Sequence, residues 1–201
     1  MRRQVPMSSP TPVRAIERLR AATRHDHLRL EDDLRIVQRL ATPAGRRTMI
    51  ARYHRLHVPA ECALAPLVSD VPGLDFRLRR RAGLLEAALG QIGIGSPAEP
   101  CPALPAIGSR AEALGFLYVL EGSSLGGRMI LKALVGGGHD VGMLAFLDPY
   151  GPATGEMWRH FLAVLDRETF GDAALIEAAV AGGLKGFAHA RYCLCDEALA
   201  A

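Results

Sequence analysis

Two stretches of this chain carry residues arranged for chemistry. The first is "RLRAATRHDHLRLEDDL" at residues 18–34, where histidines, arginines and acids recur at helical spacing. The second is "EGSSLGG" at residues 121–127, set inside the long apolar run "EALGFLYVLEGSSLGGRMILKALV". Each glycine inside a helix costs roughly 1 kcal/mol relative to alanine, so Gly122, Gly126 and Gly127 need a physical reason. At about 100° per residue, Gly115, Gly122, Gly126 and Ala133 fall within roughly 40° of one another, and Ser123 and Gly127 widen that band on one side. The band is flat and poor in side chains. It suits a close helix crossing, where small residues let backbones approach. It equally suits a flat ligand lying on the backbone, which any Cβ would strike.

On the first helix, His27 shares its side of the wheel with Ile16, Leu19, Thr23, Leu30 and Leu34. Arg20, Arg24 and Glu31 lie within about 60° on its other flank. His25 falls on the opposite face, beside Arg14, Arg18, Arg29 and Asp32. His25 is therefore expected in solvent, and His27 is expected to be buried at the border of the apolar stripe, as a core residue or as a ligand. Glu31, at i+4, can orient the His27 ring as carboxylates do for metal-bound imidazole. Arg20 and Arg24 can pair with carboxylates of an anionic ligand. The two stretches together describe a planar, anionic, metal-containing ligand between one histidine and one glycine-rich helix. Haem fits that description.

On these residues the sequence resembles the haem oxygenases, most closely the bacterial, biliverdin-producing members found with bacterial phytochromes. The resemblance runs from about residue 14 to 197 and is carried by "LRAATRHDHLRLE" (19–31) and "LGFLYVLEGSSLGGRMI" (114–130). It implies that His27, in the pattern T-[RK]-x-x-H-x-x-x-E from Thr23 to Glu31, is the proximal iron ligand. Arg20 and Arg24 then face the haem propionates, with Arg159 a further propionate contact and Phe187 packed on the haem edge. Gly122, Gly126 and Gly127 match the distal-helix glycines that close over the oxygen site. Many family members carry an aspartate after the first distal glycine, where it organises water. Ser123 stands there in this chain, with a hydroxyl but no charge. Glu121 turns away from the band and is expected as an ion-pair partner, with Arg128 the candidate.

The implied reaction is oxidative cleavage of haem, at once substrate and cofactor, to biliverdin, carbon monoxide and ferrous iron. It uses O2 and external electrons, from a ferredoxin or a reductase, and a bacteriophytochrome is an implied acceptor of the biliverdin. A non-catalytic haem carrier or sensor of the same fold is the alternative.

The elements that must position these residues are helical throughout. The periodicity predicts helices near 13–38, 43–68, 74–90, 109–135, 154–167 and 173–199. Thr42-Pro43 is a start signal, Ser109 with Glu112 has capping-box spacing, and Pro59 is expected to kink the second helix. Residues 92–108 read as a Pro/Gly-rich loop, and 136–140 and 148–155 as turns. The expected architecture is one all-α domain at 13–201 after a flexible lead at 1–12. By resemblance, haem lies between the first helix and a kinked, glycine-rich distal helix.

Composition excludes several classes. The 201 residues are 49% hydrophobic, enough for one sizeable core, yet no run reaches the ~18 apolar residues that a membrane span needs. "MRRQVPMSSPTPV" has no apolar h-region, so the protein is expected in the cytoplasm. Cys62, Cys101, Cys193 and Cys195 have neither CxxC spacing nor scaffold density, as in a reducing compartment. Residues 1–55 hold 13 arginines against 5 acids, a charge of +8, while the remainder carries −5. With Tyr53 the one aromatic there, this is no nucleic-acid reader. The charge suits solvation, an acidic partner or a small anionic ligand. His54, His57 and Glu61 have helical spacing for a non-haem metal, but the repeated Glu-x-x-His contributions of a di-iron bundle are missing. The bland reading makes them solvated. Cys62 as a nucleophile has no activating neighbour in the sequence.

Overall fold

Local signals in the sequence set the starts of the two longest helices among the described residues. Thr42 Oγ1 accepts from Gly45 N at 3.1 Å and Pro43 occupies the first turn of α3, Pro43–Val68. Ser109 Oγ accepts from Glu112 N at 3.2 Å and opens α6, Arg110–Gly136. The Glu112 carboxylate reaches back one residue further than a standard capping box, accepting from Gly108 N at 2.6 Å. The computed structural model describes residues 14–95 and 104–195. The expected lead at 1–12, Cys101, and the end of the last helix lie outside the described residues.

The remaining helices are α1 (Ala15–Leu34), α2 (Ile36–Leu40), α4 (Phe76–Arg79), α5 (Ala82–Gln91), α7 (Thr154–Thr169) and α8 (Ala173–Cys195). No strand occurs among the described residues, so the class is all-α as expected. Two expected helices are split. Arg35 takes φ 42°, ψ 47° and donates its N–H to Glu31 O at 3.3 Å, which ends α1 and starts α2. A left-handed arginine costs roughly 1–2 kcal/mol, and no glycine or asparagine marks the position. The helix expected at 74–90 breaks at Arg80, whose ψ is 136°, as Arg79 and Arg81 turn their side chains inward. By contrast, α3 continues as helix through Pro59 and Pro66, and α6 runs 27 residues through all its glycines. Of two short 3-10 segments, Gly142–Leu147 lies between the turns expected at 136–140 and 148–155, and Gly151–Ala153 lies within the second.

The core is built on α6 and α8, which pack closely along their lengths. A Cβ at Gly115 would lie 1.8 Å from Ala179 O, and one at Gly182 would lie 1.9 Å from Glu112 O. Glycine at these two positions is a requirement of the crossing. On the same helix, a Cβ at Gly183 would lie 2.6 Å from Leu19 Cδ2, and this brings α1 onto α8. Part of the basic charge of the N-terminal segment holds the fold together. Arg14 pairs with Asp166, Arg18 with Glu177 at 2.5 Å, and buried Arg52 donates to Leu194 O at 2.6 Å. No helix among the described residues is long and apolar enough to cross a membrane.

Candidate functional site

The glycine band of α6 divides into two kinds of position. Gly127 is buried, and a Cβ there would lie 1.9 Å from Leu147 O, so it serves packing on the 3-10 segment. This corrects the expectation that it faces a ligand. Gly126 is exposed and a Cβ there would meet no atom within 4 Å. Gly122 meets only the Trp158 ring, at 3.6 Å and ordinary contact distance. Neither needs to be glycine for the fold of this chain. Exposed Leu125 and Met129 stand beside them, with Met129 68% exposed. The surface is therefore open at the two glycines and flanked by apolar side chains.

His27 lies on the surface of α1. Its side chain is 55% exposed, so the expected burial is wrong. The stripe of α1 that packs on α8 runs through Leu19 and Thr23. One turn further, the imidazole has passed the contact and meets Phe187 edge-on at 5.7 Å. Phe187 is itself buried and braces the ring. Glu31 Oε1 lies 3.7 Å from His27 Nε2, longer than a hydrogen bond but close enough to bias the ring. Arg20, Arg24 and Arg159 are exposed.

Tyr118 joins the two halves and was not singled out in the sequence. Its hydroxyl lies against Thr23 and Arg20 of α1, and its ring is 5.7 Å from Trp158 of α7. Burial pushes the phenol up, against the lowering effect of Thr23 and Arg20. The signal was available: Tyr118 stands four residues before Gly122, on the same helical face. Tyr118 of α6 thus touches both α1 and α7, while Phe187 of α8 meets His27 of α1.

Behind the glycine turn lies a buried polar network centred on Arg81, which is 1% exposed. Its Nη2 donates to Leu120 O and Ser124 Oγ, both at 2.7 Å, and its Nη1 donates to Ser123 Oγ at 3.0 Å. Ser123 Oγ in turn donates to Leu120 O at 2.7 Å. The Arg81 backbone N–H donates to Glu61 Oε1 at 2.6 Å. Burial pushes Glu61 up, but His57 and the N–H groups of Arg81 and Ala82 outweigh it and hold the carboxyl below its ordinary range. Burial drives His57 down to about 4. His54, His57 and Glu61 are thus buried, not solvated. No group of three or more potential ligands is placed to hold a metal ion among the described residues. Arg81 escaped notice because "RLRRRAG" reads as a solvated charge run, and arginine is seldom fully buried.

The expected Glu121–Arg128 pair does not form. Glu121 pairs with Arg79, and Arg128 Nε lies 3.4 Å from Asp148.

The described residues form an all-α protein with an exposed histidine on α1 and open glycine positions on α6. No family model matches the chain. A curated haem oxygenase of Xanthomonas campestris pv. campestris (strain 8004) is 36% identical over 156 residues, covering 75% of this chain and 88% of that protein. The chain belongs to the haem oxygenase family, whose members cleave haem oxidatively. Its fold is that of the haem oxygenase of Neisseria meningitidis solved with NO and CO bound. The TM-score is 0.76 with 91% of each chain covered, at 21% identity.

Proposed function

We propose that this enzyme holds haem between His27 of α1 and the Gly122–Gly126 face of α6, with His27 as the iron ligand. The observation that carries the reading is the contrast within one helix. Gly115 and Gly127 are required by neighbouring backbone, whereas Gly126 has open space before it. When bound, haem supplies both the metal that takes up O2 and the ring that is oxidised. The family's products are biliverdin, carbon monoxide and ferrous iron.

The chain's own groups have distinct tasks. The imidazole of His27 is a suitable ligand, steadied by Phe187 and biased by Glu31. Arg20 and Arg24, one turn apart on α1, receive the propionates, Arg159 of α7 reaches the same edge, and Tyr118 offers a hydroxyl beside Arg20. These contacts orient the ring, because exposed ion pairs contribute about 0–1 kcal/mol each while selecting one placement. Gly122 and Gly126 admit the ring and its oxygen site close to the backbone. Ser123 Oγ has its proton directed to Leu120 O and one lone pair taken by Arg81. In that state it accepts a further hydrogen bond and does not itself donate to a ligand. Arg81 fixes the Ser123 hydroxyl from behind this turn, so a neutral acceptor stands where many family members carry an aspartate.

Electrons come from a ferredoxin-like donor or a reductase, and the exposed arginines left unpaired by the fold suit an acidic donor. The cysteine pattern favours the cytoplasm. A bacteriophytochrome is the proposed recipient of the pigment.

The test is to mix the purified protein with hemin, add ascorbate or a reductase under air, and follow the visible spectrum. Loss of the Soret band with growth of a biliverdin band is expected. A Soret band that forms and survives the reductant favours a haem carrier and contradicts turnover.

A further inference from the structure

Arg79 is buried at 4% exposure and joins α6 to α7. Its Nη1 pairs with Oε2 of Glu121, which is buried and immediately precedes Gly122. The other oxygen, Glu121 Oε1, accepts from Tyr150 OH at 2.7 Å. The same guanidinium donates to Met157 O at 3.3 and 3.4 Å, and Met157 immediately precedes Trp158. Its Nε is anchored on Leu74 O at 2.6 Å. One side chain therefore holds the turn of α6 that presents Gly122 and the turn of α7 that presents Trp158. A Cβ added at Gly122 would lie 3.6 Å from the Trp158 ring, so the two positions face each other.

A buried ion pair is poor evidence of stabilisation, because removing two charges from water costs about as much as their attraction returns, and apolar replacements are often neutral. What such a pair supplies is definite geometry. The guanidinium fork is planar, and each of its contacts here is to a group on a different element.

We propose that Arg79, with Glu121 and Tyr150, is a positioning device that sets the spacing between the Gly122 turn of α6 and Trp158 of α7, and thereby the lateral seat of the haem ring. The inference rests on the haem-binding reading above. Its consequence is regiochemical: the seat decides which edge of the ring lies under the glycine turn. A displacement of about 1 Å of a reacting group can cost roughly 100-fold in rate, so a loosened clamp yields mixed products before it destroys the fold.

Trp158 is the single tryptophan of the chain, so intrinsic fluorescence reports on this turn of α7 in the ligand-free protein. The experiment compares wild type, Tyr150→Phe and the apolar triple variant Arg79→Met, Glu121→Leu, Tyr150→Phe. The readouts are acrylamide quenching of Trp158, the melting temperature, hemin affinity and the biliverdin isomers formed. In the triple variant, quenching is expected to rise about twofold or more as the local structure opens, with cooperative melting retained and one dominant isomer replaced by a mixture. Tyr150→Phe is expected to shift both readouts in the same direction by less, and it carries the test if the triple variant does not fold. Folded variants with wild-type quenching and wild-type isomer ratio overturn the proposal. A wild type that takes up no hemin overturns the haem reading instead, and the quenching comparison still judges the clamp.

Discussion

A methyl group added at Gly126 would meet no atom within 4 Å, whereas one added at Gly115 would lie 1.8 Å from a backbone oxygen. At the residue scale the two glycines therefore separate an open position from a packing position, although both lie in the band that the helical wheel draws. Gly126→Ala is expected to stabilise the ligand-free fold by up to about 1 kcal/mol, since alanine is the better helix former. In a domain of this size that is a rise of about 2–4 °C in melting temperature. The same variant should weaken hemin uptake or slow turnover, because its Cβ enters the surface offered to the ring. Thermal melting and hemin turnover on one preparation check this. A stabilised variant with unimpaired turnover would show that the bare surface at Gly126 has no ligand to admit. His27 illustrates a limit of the wheel: it placed the histidine beside the apolar stripe but not at which turn α1 leaves α8, so burial was expected and a 55% exposed ring was found.

At the scale of elements, the α6–α8 crossing depends on glycine from both helices. Gly115→Ala or Gly182→Ala would force a Cβ to within 2 Å of carbonyl oxygen on the facing helix. Overpacking typically costs about 1–3 kcal/mol, and backbone on both sides leaves no flexible side chain to yield. We expect either variant to lower the melting temperature by several degrees, which calorimetry or circular dichroism would read; an unchanged value would contradict the crossing. Most helices were legible because their apolar positions recur with helical period and because Thr42, Pro43 and Ser109 mark starts by well-defined hydrogen bonds. The break at Arg35 was not legible, since a left-handed arginine carries none of the usual glycine or asparagine signals. The break at Arg80 was hidden for a related reason. Three consecutive arginines look like an exposed helical face, yet Arg79 and Arg81 are drawn inward by Glu121, Glu61 and the serines of α6. The histidine, the arginines of α1 and the glycine turn could be found from spacing and resemblance. The network that holds them depends on contacts between residues some 40 positions apart, which no local pattern records.

At the scale of the molecule, acid sensitivity follows from buried titratable groups. Burial lowers His54, His57 and His189, with His57 brought from 6.5 to about 4. Such a histidine binds more protons when unfolded than when folded, so its contribution is complete above the unfolded value and is lost as pH falls toward the folded one. Glu61, held below its ordinary 4.5, adds a loss in the same direction at lower pH. Urea midpoints are therefore expected to fall steadily from about pH 6.5 toward 4, and His57→Gln should flatten that decline; a flat profile in the wild type would contradict the burial of these groups. The proposal on which the function rests is that haem is held on His27 of α1. The most direct measurement is a hemin titration of wild type and His27→Ala, followed in the Soret region with and without added imidazole. The account predicts saturable uptake by the wild type, loss of its Soret signature in the variant, and recovery with imidazole. A variant that binds hemin with the wild-type spectrum and affinity would contradict it.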